Sequence, residues 1–161
     1  MAEKPAVNAS PLIFLARGDL LDLLKIAGDE IIIPAAVAAE VQERGPEDPT
    51  VQAIEKAAWV TVVPTPPIDE RIQAWDLGLG ESSVLTWGYT HQGTEIIIDD
   101  LAARRCATAL GIPFRGTLGL VLVAKRRGII PLARPVVDQL RQSGMYLSDQ
   151  VVDGALALVG E

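Results

Sequence analysis

Short runs of β-branched residues alternate with stretches of helical spacing along this chain. Glu30-Ile31-Ile32-Ile33 and Ile96-Ile97-Ile98 read as buried strands. Trp59-Val60-Thr61-Val62-Val63 reads as a strand towards a sheet edge, because Pro64, Pro66 and Pro67 end it. Pro5-Ala6-Val7 predicts a short first strand ending at Asn8, and Ile112-Pro113-Phe114-Arg115 a short last one. Between them, Ser10 reads as an N-cap with Pro11 as the first helical residue, and Gly18 closes that helix. Asp19 reads as the cap of a second helix carrying Leu20, Leu21, Leu23, Leu24 and Ile26. Pro34 starts a third, with Val37, Glu40, Val41 and Arg44 at i, i+3, i+4, i+7 spacing. Further helices are predicted over 51–58, over 68–75, from Glu81 to about Tyr89, from Asp100 to Gly111, from Thr117 to about Arg127, and over 131–143 and 148–159. Strands alternating with helices predict a parallel sheet covered by helices on both faces. Internal repeats, low-complexity stretches and a linker are all lacking, so residues 1–161 read as a single domain.

Acidic residues stand where this pattern places a crevice. Asp99 and Asp100 follow the Ile96-Ile97-Ile98 run, and sites in parallel sheets form just outside the carboxyl ends of strands. Successive strand residues point to opposite faces, so the two acids need not share a task. One of them could simply cap the next helix by accepting a backbone N–H. Glu40 shares a stripe with Val37 and Val41, next to Glu43. A carboxylate facing a core is costly unless paired or bound to a cation, the alternative being an edge position from which it reaches water. Glu81 lies in a first helical turn, on the stripe of Val84, Leu85 and Gly88, where favourable charge–dipole placement is the plainer reason for a Glu. Thr117 is either an N-cap or a hydroxyl lining the site. Carboxylates brought together in this way must share protons or hold a cation.

Composition narrows which cation. The 161 residues include one cysteine, Cys106, and one histidine, His91, too few for a Cys/His zinc site. Oxygen ligands point to Mg²⁺ or Mn²⁺. A single Cys also suits a reducing cytosol, and a cytoplasmic location is expected. No apolar run approaches the ~20 residues of a membrane span, and Met1 to Pro5 lack the apolar core of a secretory signal. The net charge of −7 excludes a basic nucleic-acid coat. That charge is unevenly spread: residues 1–100 carry 6 Lys/Arg against 17 Asp/Glu, residues 101–161 carry 8 against 4. Arg104, Arg105, Arg115, Lys125, Arg126 and Arg127 fall close together and could meet phosphates, or could merely solvate helix faces. Neither Gly-x-Gly-x-x-Gly nor the P-loop pattern occurs.

Five stretches in order carry a resemblance: Asn8-Ala9-Ser10-Pro11-Leu12-Ile13; Ile33-Pro34-Ala35-Ala36-Val37-Ala38-Ala39-Glu40-Val41; Leu79-Gly80-Glu81-Ser82; Ile98-Asp99-Asp100-Leu101-Ala102-Ala103-Arg104; and Gly116-Thr117-Leu118-Gly119. Together they resemble the PIN domain, and more closely the prokaryotic PIN-like nucleases related to VapC-type toxins. The resemblance implies a three-layer α/β/α sandwich around a parallel sheet and Mg²⁺- or Mn²⁺-dependent RNA cleavage. It implies Glu40, Glu81, Asp99 and Asp100 as catalytic acids, and Asn8, Glu81, Asp99 and Asp100 around the metal. Which of Asp99 and Asp100 matches the family's acid is left open. Ser10, Arg104 and Thr117 would line the RNA path. It further implies a homodimer held by a small antitoxin protein. The departure is Asn8, where members with Asp-x-Ser-Pro-Leu-Ile carry a carboxylate. An amide offers a neutral carbonyl oxygen and one negative charge fewer. An impaired module that binds RNA or a protein through the same cleft is therefore the competing expectation. A phospho-acceptor domain of the receiver kind fits poorly, since its acid positions hold Asn8 and the apolar end at Val63 here.

Overall fold

The computed structural model describes residues 4–161; residues 1–3, and with them most of the N-terminal stretch expected to lack a leader, lie outside it. All strands are short and parallel. β1 (Ile31–Pro34) pairs with β2 (Val60–Val63), Ile31 opposite Val60 and Pro34 opposite Val63. β3 (Ile96–Ile97) pairs with β4 (Phe114–Arg115). Two single bridges join the pairs, Ala6 to Ile32 and Val7 to Ile97, both parallel. The order across the sheet is therefore β2, β1, the Ala6-Val7 segment, β3, β4. The first segment sits in the middle and the chain grows outwards to either edge. Such a reversal of strand order opens a crevice at the carboxyl ends of the central strands.

Burial follows from this order. Ile31, Ile32, Ile33, Ile96, Ile97 and Ile98 are at most 2% exposed, as expected of strands covered on both faces. Val62, on the edge strand β2, is 52% exposed. The α/β class and the parallel sheet expected from the alternation are what the protein has. The helices are α1 (Ala9–Arg17), α2 (Ala35–Gln42), α3 (Pro49–Lys56), α4 (Glu70–Gln73), α5 (Leu79–Thr90), α6 (Leu101–Ala109), α7 (Thr117–Arg126), α8 (Arg134–Gln142) and α9 (Asp149–Ala157). α2 packs on α5 and α5 on α6, while α7 gathers α8, α9 and a 3-10 helix (Leu21–Ile26). None of the described helices is long and apolar enough to cross a membrane.

Several boundaries differ from expectation for local reasons. α1 starts two residues early: Asn8 is its N-cap and Ser10 lies in its first turn. Asp19 caps nothing; its φ of 58° puts it in the left-handed region, which closes the preceding turn. The segment that follows is a 3-10 helix after Leu20. Thr117 is the first residue of α7, with Gly116 as N-cap. The helix expected over 68–75 shrinks to the four residues of α4, which Asp69 caps through the Arg71 N–H. Ser148 caps α9, accepting the Val151 N–H at 3.2 Å.

Candidate functional site

The site grows from the end of the central strand segment. The Asn8 N–H donates to the Ile97 carbonyl at 3.0 Å, still part of the sheet. Its backbone is extended (φ −83°, ψ 168°) and then turns into α1. An N-cap Asn ordinarily accepts a backbone N–H of the first turn. Here the side chain makes no such bond. Asn8 is 2% exposed, and its Oδ1 has no hydrogen-bond partner. An unpaired buried carbonyl oxygen costs about 1–3 kcal/mol, so what stands beside it matters.

Beside it stands Gly80, the second residue of α5. A Cβ at Gly80 would lie 3.5 Å from Asn8 Oδ1 and 3.1 Å from Glu40 Cδ, and would collide with Glu40 Oε1. The missing side chain is a cradle that lets an α2 carboxylate reach the N-terminal turn of α5. Glu81 bends back over the same turn: its Oε2 is 2.7 Å from where a Cβ on Gly78 would sit. Val37 and Val41 are buried, at 0% and 1% exposed, but Glu40 is exposed. The expected inward stripe thus ends short of Glu40, which lies at its border and leans against α5. Although Glu40 is exposed as a residue, its carboxyl tip has lost water against that backbone. Desolvation pushes its pKa up, and the charges of Glu81 and Glu43 push it further. The Gly80 N–H, which favours the charged form, offsets this only in part.

The two adjacent aspartates divide their work as the strand pleat requires. Asp100 is exposed and caps its own helix, accepting the Ala103 N–H at 2.9 Å. Asp99 caps a different one. Its Oδ1 accepts the Thr117 N–H at 2.8 Å, and its Oδ2 accepts the Thr117 hydroxyl at 2.6 Å. Arg104 Nη2 stands 3.5 Å from Asp99 Oδ1. Thr117 is fully buried and its hydroxyl donates to Asp99, so it neither caps its helix nor faces the crevice. Ser10 is half-buried in the first turn of α1.

The expected basic cluster is largely committed elsewhere. Arg115 pairs with Glu95 at 2.9 Å, Lys125 with Glu161 at 3.5 Å, and Arg127 donates to the Ile26 carbonyl at 3.2 Å. Among the described residues, exposed Arg105 and Arg126 have no such partner. Gly80 and Gly116 carried no role of their own in the sequence, although each leaves room for a charged side chain. Their signal was position alone, since each stands directly beside a candidate polar residue.

Asn8 Oδ1 and Glu40 meet at Gly80, and the Glu81 carboxyl lies by Gly78 at the same helix end, close enough for its charge to act on Glu40. Among the described residues no three His, Cys, Asp or Glu side chains gather as a metal-holding group. The third oxygen here is the amide of Asn8. Two carboxylates with a neutral oxygen are a donor set of the kind that suits Mg²⁺, which is commonly held by one or two carboxylates and keeps several waters.

A family model described as a PIN domain matches residues 4–161. No curated protein matches the chain.

Proposed function

This chain belongs to the PIN-domain family, whose members generally use divalent metal ions, and on that premise we propose that it is a Mg²⁺- or Mn²⁺-dependent endoribonuclease of the toxin type, resembling VapC. The observation that carries this reading is the buried, unpartnered Asn8 Oδ1 beside the Gly80 cradle that the Glu40 carboxylate enters. Asn8, Glu40 and Glu81 would hold the ion. A bound divalent ion activates water and neutralises charge developing on a phosphate. Without a bound cation, desolvation and the charges of Glu81 and Glu43 raise the Glu40 pKa, a cost that such a cation would relieve. Asp100 fixes the start of α6 and Asp99 the start of α7, so both shape the crevice rather than fill it. The open side of the Arg104 guanidinium and the exposed Arg105 give the phosphate backbone of RNA its nearest positive charge. The toxin role, a small antitoxin and a homodimer rest on the resemblance alone.

A competing reading, a module that binds RNA or a protein without cutting, is favoured by the neutral amide of Asn8. One assay separates the two. Mixed-sequence RNA is incubated with the chain in Mn²⁺ or Mg²⁺, with EDTA and Glu81→Gln as controls. The nuclease reading predicts fragments that disappear in both controls. RNA retained intact by a folded protein would favour the binding module.

A further inference from the structure

β2 is the outermost strand on its side of the sheet, and among the described residues it pairs with β1 alone. In a parallel ladder, alternate residues of a strand turn their main-chain groups to the same neighbour. The Trp59 carbonyl accepts the Ile31 N–H at 2.9 Å, so Thr61 and Val63 also face β1. Val60 and Val62 therefore turn their N–H and C=O outwards. The Val60 N–H is taken by the Ala57 carbonyl at 3.2 Å. The Val60 carbonyl and both main-chain groups of Val62 are left as a template for another strand. Edge strands commonly carry a charge or a proline against such pairing. Val60-Thr61-Val62-Val63 carries neither.

The Val62 side chain is exposed and lines an apolar groove with Val41 of α2 and with Val51 and Ile54 of α3. Glu55 lines the same groove. From α2 to the end of β2 the chain sets Glu40, Glu43, Glu47, Asp48 and Glu55 against Arg44 and Lys56. Arg44 is engaged by Asp48 at 3.0 Å, and Lys56 lines a separate hollow beside Trp59. Exposed Glu43, Glu47 and Glu55 thus give this side of the molecule a negative field.

We propose that the outer edge of β2 is a docking surface for an extended segment of a partner protein, in which a branched apolar residue is followed two positions on by Lys or Arg. Residues two apart on an added strand share a face. The apolar one enters the groove beside Val62, and the cation meets Glu55. Main-chain bonds to Val60 and Val62 supply affinity and the two side chains specificity. The acidic rim repels phosphates, and a second copy paired edge to edge would set one acidic rim against another. The assignment does not rest on the nuclease reading.

The test is anisotropy titration of the full chain with a fluorescein-labelled peptide, Gly-Thr-Val-Thr-Lys-Thr-Lys-Gly, with thermal unfolding of each variant as the check on folding. Saturable binding is expected, with slower hydrogen exchange at the Val62 N–H. Glutamate in place of both peptide lysines should abolish it, and Glu55→Lys should weaken it by about threefold or more. Val62→Pro removes the outward N–H at an edge position where proline is tolerated, and should abolish binding. No saturable binding to the unmodified chain, or equal affinity for the lysine and glutamate peptides, overturns the proposal. So does binding that survives Val62→Pro or, if that variant does not fold, a Val62 N–H left unprotected by the peptide. A chain that sediments as a dimer and becomes a monomer on Val62→Lys would give the edge to a second copy and overturn it too.

Discussion

Asp99 and Thr117 are joined twice across the mouth of the sheet, the carboxylate accepting the threonine's N–H at 2.8 Å and its hydroxyl at 2.6 Å. A residue from the end of β3 thereby caps α7, the helix after the neighbouring strand. The pair locks the two halves of the crevice wall at one spacing. Thr117→Val keeps the shape and removes the hydroxyl donor to a charged acceptor, a loss of about 1.5–3 kcal/mol. Denaturant unfolding should show a lower midpoint with an unchanged slope. A change below about 0.5 kcal/mol, the range of ordinary surface substitutions, would mean the hydroxyl bond adds nothing.

Gly80→Ala tests the cradle. At an unstrained helical position, Ala is favoured over Gly by roughly 0.5–1 kcal/mol. Here the added methyl meets Glu40 and approaches Asn8 Oδ1, so the variant should be no more stable than the parent and should bind Mn²⁺ more weakly. In a Glu40→Ala background the same change should regain its helical benefit. Equal effects in both backgrounds would show that Glu40 does not occupy that space.

The Glu40 carboxyl gives a pH dependence of defined sign. Its folded-state pKa is raised by desolvation, then by Glu81 and Glu43. The folded chain therefore binds this proton more tightly than the unfolded one. The stability so contributed is full below the ordinary carboxylate range and is lost as pH rises through the raised value. Without divalent ions, Glu40→Gln should melt higher than the parent at about pH 8 and level with it near pH 4. The group is exposed, so screening holds the difference under about 1 kcal/mol. A melting difference independent of pH would remove charge from the explanation.

Asn8→Asp should have opposite effects with and without metal. The side chain is 2% exposed and its oxygen unpartnered, so a carboxylate there lacks compensation and should cost about 1–3 kcal/mol in EDTA. With Mn²⁺ the added charge should turn that loss into a gain over the parent. Thermal shifts in the two buffers measure both. Equal destabilisation in both would place position 8 outside any ion's reach.

Much of the fold was legible because the strands are pure. The Ile31-Ile32-Ile33 and Ile96-Ile97-Ile98 runs announce burial on both faces, and Pro64, Pro66 and Pro67 announce the edge. A cap was legible where a side chain bonds within its own helix: one of Asp99 and Asp100 was open as the cap of the next helix, and Asp100 fills that place. Caps failed where the bond crosses the fold: Thr117 looked like a cap because its acceptor, Asp99, lies eighteen positions away. Asp19 failed because a left-handed φ at a non-glycine residue leaves no trace in a periodic pattern. At the site, the acids were legible as residue types. Their division of labour was not, because the sequence alone does not set Asp100 on its own helix and Asp99 on another. The six basic residues were open to two readings, phosphate contacts or solvated helix faces, and Arg115 and Lys125 are taken up by Glu95 and Glu161 from other segments. Gly80 and Gly116 were invisible because their role is the space they leave.

The most direct measurement of the central claim is RNA cleavage in Mn²⁺ by the unmodified chain and by Asn8→Asp, side by side. The account predicts that the unmodified chain cuts and that Asn8→Asp cuts faster, by about tenfold, in line with what a tighter-held ion is worth at a metal site. Folded protein that cuts no RNA in either form, across varied sequences and both metals, would contradict it.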